Sequence, residues 1–221
     1  SIPKANRGGQ IFGIGTEKFV RDWNRHQEWM SQLNLAEYLG LPPKSRLSRL
    51  PSWCVAYPWA TIGPHQMKRW LPTRISKVRR NSGFKIPRHW SGKKTMAFEA
   101  KISAQVQAAQ FQKLMTSIQS SGFWVSRNAD DPLTVDRLTD GKNECWVINS
   151  GFHRTCAATA IGLTELPAEV RLVIDRSQVD RWPQVRNGSF TPAEALRVFD
   201  YLVSAQPLPH TDALIRSLES T

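Results

Sequence analysis

The sequence predicts an α/β fold in which short strands carry helices, and three observations predict it. The first is the stretch from Trp146 to Gly162, which reads as a buried strand, a sharp turn and a helix. The second is an apolar repeat over residues 96 to 120, where Phe98, Ile102, Val106, Phe111, Leu114, Met115 and Ile118 recur mostly at intervals of three or four, the period of one helix. The third is a pair of short runs, Phe123 to Ser126 and Ala168 to Ile174, of the length and composition of strands.

The chain divides by charge. Residues 1 to 95 hold 18 Lys and Arg against four Asp and Glu, a net charge of +14. Residues 96 to 174 hold seven against eight, and residues 175 to 221 five against six, so the overall +12 resides in the N-terminal part. Six of the nine tryptophans lie there too. This asymmetry predicts a basic, Trp- and Pro-rich extension over residues 1 to 95, a core over 96 to 174 and a helical addition over 175 to 221.

Within the extension, Gly8 to Lys18 is glycine-rich but lacks the Gly-Lys-Ser/Thr of a Walker loop. From Thr16 the pattern turns helical through Phe19, Val20, Trp23, Trp29 and Met30. A second short helix through Leu33, Leu35, Ala36 and Leu39 stops at Gly40 before Pro42-Pro43. Leu50 to Trp59 is aromatic and rich in proline, which predicts an extended segment wrapped over the core. A basic run follows, from Lys68 to Lys94, with no acid between Glu37 and Glu99. Arg74, Lys77, Arg79 and Arg80 form its densest part, and Trp70, Phe84, His89 and Trp90 interleave with it. Such a surface neutralises nucleic-acid phosphates and stacks on bases, docks an acidic protein or membrane face, or stays solvated.

The core begins with the 96 to 120 helix, ended by Ser120-Ser121-Gly122 and expected to pack on the sheet. Glu99 in its first turn is a candidate metal ligand or base, or an ordinary helix-start acid. Asp130 and Asp131 are the candidate Mg²⁺ ligands, since that ion takes oxygen donors; an Asp-Pro turn accounts for them equally. Asp140-Gly141-Lys142-Asn143 reads as a hairpin turn into the motif strand. There β-branched Val147 and Ile148 suit a strand, Gly151 a tight turn, and the Ala-rich stretch before Gly162 a short helix able to lie close to a sheet. The unpaired amides at such a helix start attract anions, and His153 and Arg154 add donors. The alternative places this pair in solvent or against Asp175 or Glu144.

Beyond the core, Val179 to Gly188 reads as a loop whose Trp182-Pro183 covers a pocket. Thr191-Pro192-Ala193-Glu194 has the spacing of a capping box with Pro at the first helical position, opening a helix with Leu196, Phe199, Leu202 and Val203 on one face. No run of 18 apolar residues occurs, which predicts no transmembrane span, and Ser1-Ile2-Pro3-Lys4 lacks a secretory hydrophobic segment. Cys54, Cys145 and Cys156 are odd in number and widely spaced, which argues against a disulfide framework and for a reducing cytoplasm.

Asn149-Ser150-Gly151-Phe152-His153-Arg154, followed by an Ala-rich helix, a Gly, Leu166-Pro167 and the strand Ala168 to Ile174, resembles the ParB/sulfiredoxin-like superfamily over roughly Phe98 to Ile174. The resemblance implies nucleotide phosphates held by Ser150, Gly151, His153, Arg154 and Thr155. It implies ATP or another nucleoside triphosphate with Mg²⁺ as cofactors. It also implies a phosphotransferase acting on a small-molecule acceptor, or an NTPase, with His153 and Glu99 as candidate catalytic residues. Two positions depart from the pattern. Phe152 stands where sulfiredoxins carry the catalytic cysteine, which excludes that reductase chemistry here, and Ser150 stands where the free-serine kinases commonly carry an Asp. Asp130 or Asp131 is the candidate to supply what Ser150 does not. Two other readings remain open: a non-enzymatic nucleic-acid-binding protein using the basic N-terminal part, and a family member whose motif serves only as scaffold.

Overall fold

The computed structural model describes residues 28–70, 108, 111–123 and 132–204. They form a mixture of helices and a three-stranded mixed sheet, β1 (Thr134–Thr139), β2 (Glu144–Ser150) and β3 (Glu169–Asp175), in the order β2-β1-β3. β1 and β2 are an antiparallel hairpin, and β3 lies parallel to β1 on its other side. Asp140 makes the hairpin turn: its carboxylate accepts from the amides of Lys142 (2.8 Å) and Asn143 (2.7 Å) and from Asn143 Nδ2 (3.0 Å). Bonds from the Asn143 backbone and side chain, then from Lys142, favour the ionised form and pull the Asp140 pKa from 3.8 to about 2. Gly141, at φ 90°, takes the left-handed corner.

Register decides which side chains face inward. Leu138 sits beside Cys145 and Ile174, and Asp136 beside Val147 and Leu172. The pairing of β1 with β3 jumps from Val170 to Leu172, so Arg171 is the extra residue of a bulge. Its guanidinium forks onto the buried Asp136, Nε to Oδ1 at 2.9 Å and Nη2 to Oδ2 at 2.6 Å, and ties the two strands together. On the opposite face Trp146, Arg137 and Val173 lie in one row across the sheet, with Trp146 and Val173 about half open to solvent.

The inward face is covered from both sides of the sequence. Leu138 and Ile174 share one core with Leu35, Leu39, Leu47, Leu50 and Trp59 from upstream and with Trp182, Phe190, Val198 and Phe199 from downstream. Two capping boxes set the flanking helices. Asn34 and Glu37 start Leu35–Tyr38, and Thr191 and Glu194 start Pro192–Val203, the latter with Pro at the first position as its spacing predicts. Trp59 and Trp182 meet edge to face at 5.5 Å, and Trp182 stacks on Phe199 at 5.6 Å.

This differs from the sequence reading in several places. The motif strand β2, read as buried, is an edge of the described sheet with Trp146 53% exposed, because only one of its faces meets the core. Leu50 to Trp59 does not simply wrap the core: Ser52–Cys54 is a 3₁₀ turn and Trp59 is buried inside. Trp182 is likewise a core residue at 5% exposure rather than a pocket cover, and Pro183–Arg186 is a helical turn. The physical reason is the same for both indoles: each gains more by leaving water for an apolar nest than by covering a polar site.

A polar clasp joins the same two parts. Gln184 is buried, donates to the Ala60 carbonyl at 2.7 Å and accepts from Asn187 Nδ2 at 2.8 Å, while its own backbone amide bonds to the Pro58 carbonyl. A second, smaller core lies under the helix Phe152–Ala160. Ile118 packs there with Ala157 and Ala158, so the described part of the 96 to 120 helix, at 111–121, packs on the motif helix rather than on the sheet as its sequence suggested, the small alanine face letting the two helices approach. No helix among the described residues is long and apolar enough to cross a membrane.

Candidate phosphate site at the Gly151 turn

β2 ends at Ser150 and the helix Phe152–Ala160 begins one residue later, so the whole change of direction falls on Gly151. Its φ of 82° and ψ of 16° are left-handed, a region that costs a residue with a Cβ. Space adds a second demand. A Cβ there would lie 2.9 Å from Leu133 Cδ1 and 3.2 Å from Arg154 Nη2. Glycine therefore lets the strand turn against the buried Leu133 while Arg154 folds back beside the turn.

The first intrahelical bond at this end runs from the Thr155 amide to the Gly151 carbonyl at 3.0 Å. The amides of Phe152 and His153 precede it, and Gly151 at the cap position has no side chain to offer them. The helices at Leu35 and Pro192 begin differently, each with a carboxylate of its own in the first turn. Here the first turn holds no acid, so the positive end of the helix dipole meets no negative charge from its own sequence.

The predicted residues of the turn itself, 150–155, all fall among the described ones. His153 is exposed, and its ring lies 5.4 Å from that of Phe111 and 6.2 Å from that of Phe152. Phe152 is 60% exposed and Arg154 half-buried. The Ser150 hydroxyl donates to the Pro132 carbonyl at 3.0 Å and accepts from Thr134 Oγ1 at 3.1 Å; that Thr134 oxygen accepts from Asn149 Nδ2. Thr155 Oγ1 bonds back to the Gly151 carbonyl at 3.2 Å. These two hydroxyls hold the turn, with Arg154 Nη2 folded beside Gly151 and His153 exposed next to it. Two carboxylates that the sequence offered as alternative partners have other neighbours: Glu144 lies 3.8 Å from Arg137, and Asp175 accepts from the amide and hydroxyl of Ser177.

Glu99, Asp130, Asp131, Arg74, Lys77, Arg79 and Arg80 lie outside the described residues. Among the described residues no group of three His, Cys, Asp or Glu side chains converges as a metal site. Cys156, one turn into the helix, is half-buried, and burial pushes its thiol pKa up from 9.0, keeping it protonated and poorly nucleophilic near neutrality. Sequence reasoning missed the residues that back the turn, Pro132, Leu133 and Thr134. Their signal is only topological, since the first strand of a hairpin starts where the second ends. Comparison of the chain with protein-family models, curated proteins and solved structures finds no match.

Proposed function

We propose that the Gly151 turn binds the phosphates of ATP or another nucleoside triphosphate with Mg²⁺, in a chain of ParB/sulfiredoxin-like type, for phosphoryl transfer to a small molecule or for hydrolysis. The observation that supports this reading is the start of the motif helix directly after a left-handed glycine, with His153 and Arg154 but no acid in its first turn. The first amides of a helix and its dipole favour an oxyanion at that point. Arg154 offers a planar fork suited to two phosphate oxygens, and His153 offers a ring nitrogen that donates to phosphate or takes up a proton. Ser150 and Thr155 keep the turn in shape. Mg²⁺ between phosphate oxygens and Asp130 or Asp131 would neutralise charge. Phe152 carries no nucleophile, in keeping with a binding rather than a thiol role for its position.

Calorimetry with ATP and CTP, with and without Mg²⁺, tests this on the wild type and on Arg154→Ala. The expected result is nucleotide binding that weakens by about tenfold or more in the variant, the scale of one lost charge-assisted hydrogen bond. A folded wild type that binds neither nucleotide, or an affinity that Arg154→Ala leaves unchanged, overturns the reading.

A further inference from the structure

The upstream part of the fold holds an open cleft of roughly 690 Å³, well away in sequence from the Gly151 turn. One wall is a double strap. Leu35 donates to the Leu50 carbonyl at 2.8 Å and Ser52 to the Leu33 carbonyl at 3.2 Å, with Asn34 and Pro51 bridged between them. This strap leads out of the 3₁₀ turn Arg46–Arg49, in which side chains three residues apart eclipse, so Arg46 and Arg49 share an edge and Arg49 lines the cleft. Lys68, from the helix at 64–70, lines it too, and Arg69 follows in the chain. Trp53 completes the lining. Its indole Nε1 is buried and, among the described residues, has no hydrogen-bond partner, a costly state for a donor. The carboxylate in the lining, Glu37, is already committed to its capping box.

We propose that this cleft binds single-stranded nucleic acid, with phosphates at Arg49 and Lys68 and a base against Trp53. The combination selects the ligand. Two exposed cations in a chain segment of net charge +14 call for a polyanion. An acidic peptide would meet those cations but would leave the indole and the neutral donors and acceptors of Gln32 and Ser48 without a use. A strand with unstacked bases uses both sets, because every base has a π face and a hydrogen-bonding edge. A duplex keeps its bases stacked and away from a concave wall. The inference does not depend on the Gly151 turn.

Fluorescence anisotropy of a labelled 12-nucleotide single strand, titrated with the full chain over a range of salt, tests it. Arg49→Glu and Lys68→Glu are each expected to weaken binding by about tenfold and to flatten the salt dependence by about one unit of slope. Both residues are exposed, so both variants keep the fold, which circular dichroism checks. Trp53→Leu is expected to weaken binding by about fivefold or more with the slope unchanged. Arg186→Glu, an exposed charge outside the cleft, is the control and should leave affinity within about twofold. The proposal is overturned by no binding, by an equal loss in the control, by equal affinity for a duplex or for polyglutamate, or by full affinity in Trp53→Leu.

Discussion

At Gly151 a methyl group meets two obstacles, and a second glycine separates them. Gly141 is equally left-handed at φ 90°, but a Cβ there meets nothing within 4 Å. Gly141→Ala should therefore cost only the backbone term, about 1–2 kcal/mol. Gly151→Ala should cost that and the displacement of Leu133, roughly 1–3 kcal/mol more. Urea unfolding of both variants reads the difference directly; equal losses would mean that Leu133 yields freely. The need for glycine at the turn was legible in the sequence, because a strand running straight into a helix requires a tight corner. The direction of the Ser150 hydroxyl was not. Its acceptor, the Pro132 carbonyl, arrives from 18 residues upstream, and no local pattern carries that information.

Elements were legible where their signals are local. The capping box at Thr191, the hairpin turn at Asp140 and the end of the motif helix at Gly162 all follow from side chains within four residues of one another. Trp59 and Trp182 were not, since loop composition says nothing about which indole enters the core. Between these cases stands the bulge at Arg171. β3 reads from sequence as a strand, but the extra residue that turns Arg171 toward Asp136 depends on the partner strand. Arg171→Leu would leave the Asp136 carboxylate buried without its fork. The expected loss is about 2–3 kcal/mol, below the full cost for a buried pair because the guanidinium is about a third exposed. A loss under about 0.5 kcal/mol in urea unfolding, the level of an exposed pair, would show that the fork holds nothing.

Across the whole molecule, the boundaries drawn from charge do not describe where the core lies. Leu35, Leu138 and Phe199 come from the basic, neutral and downstream stretches, yet they share one cluster. Charge patterns report what faces solvent, and the apolar residues that cross those boundaries are silent in them. Gln184 fastens the same parts through Ala60 and Pro58. Gln184→Leu keeps much of the side-chain volume but strands the Ala60 carbonyl and Asn187, at an expected cost of about 2–3 kcal/mol. Near-ultraviolet circular dichroism and hydrogen exchange should then report one earlier transition shared by residues on both sides. Separate transitions would show two independently stable parts.

A core closed by Phe199 also sets a timetable for synthesis. Leu35 leaves the ribosome 164 residues before Phe199, a delay of roughly ten to thirty seconds at ordinary rates of elongation. For most of that interval the upstream leucines have no inner sheet face to join, and throughout it no complete closing helix to cover them. The nascent chain is thus a basic polypeptide with exposed apolar side chains, open to chaperones and proteases until Phe199 and its neighbours emerge.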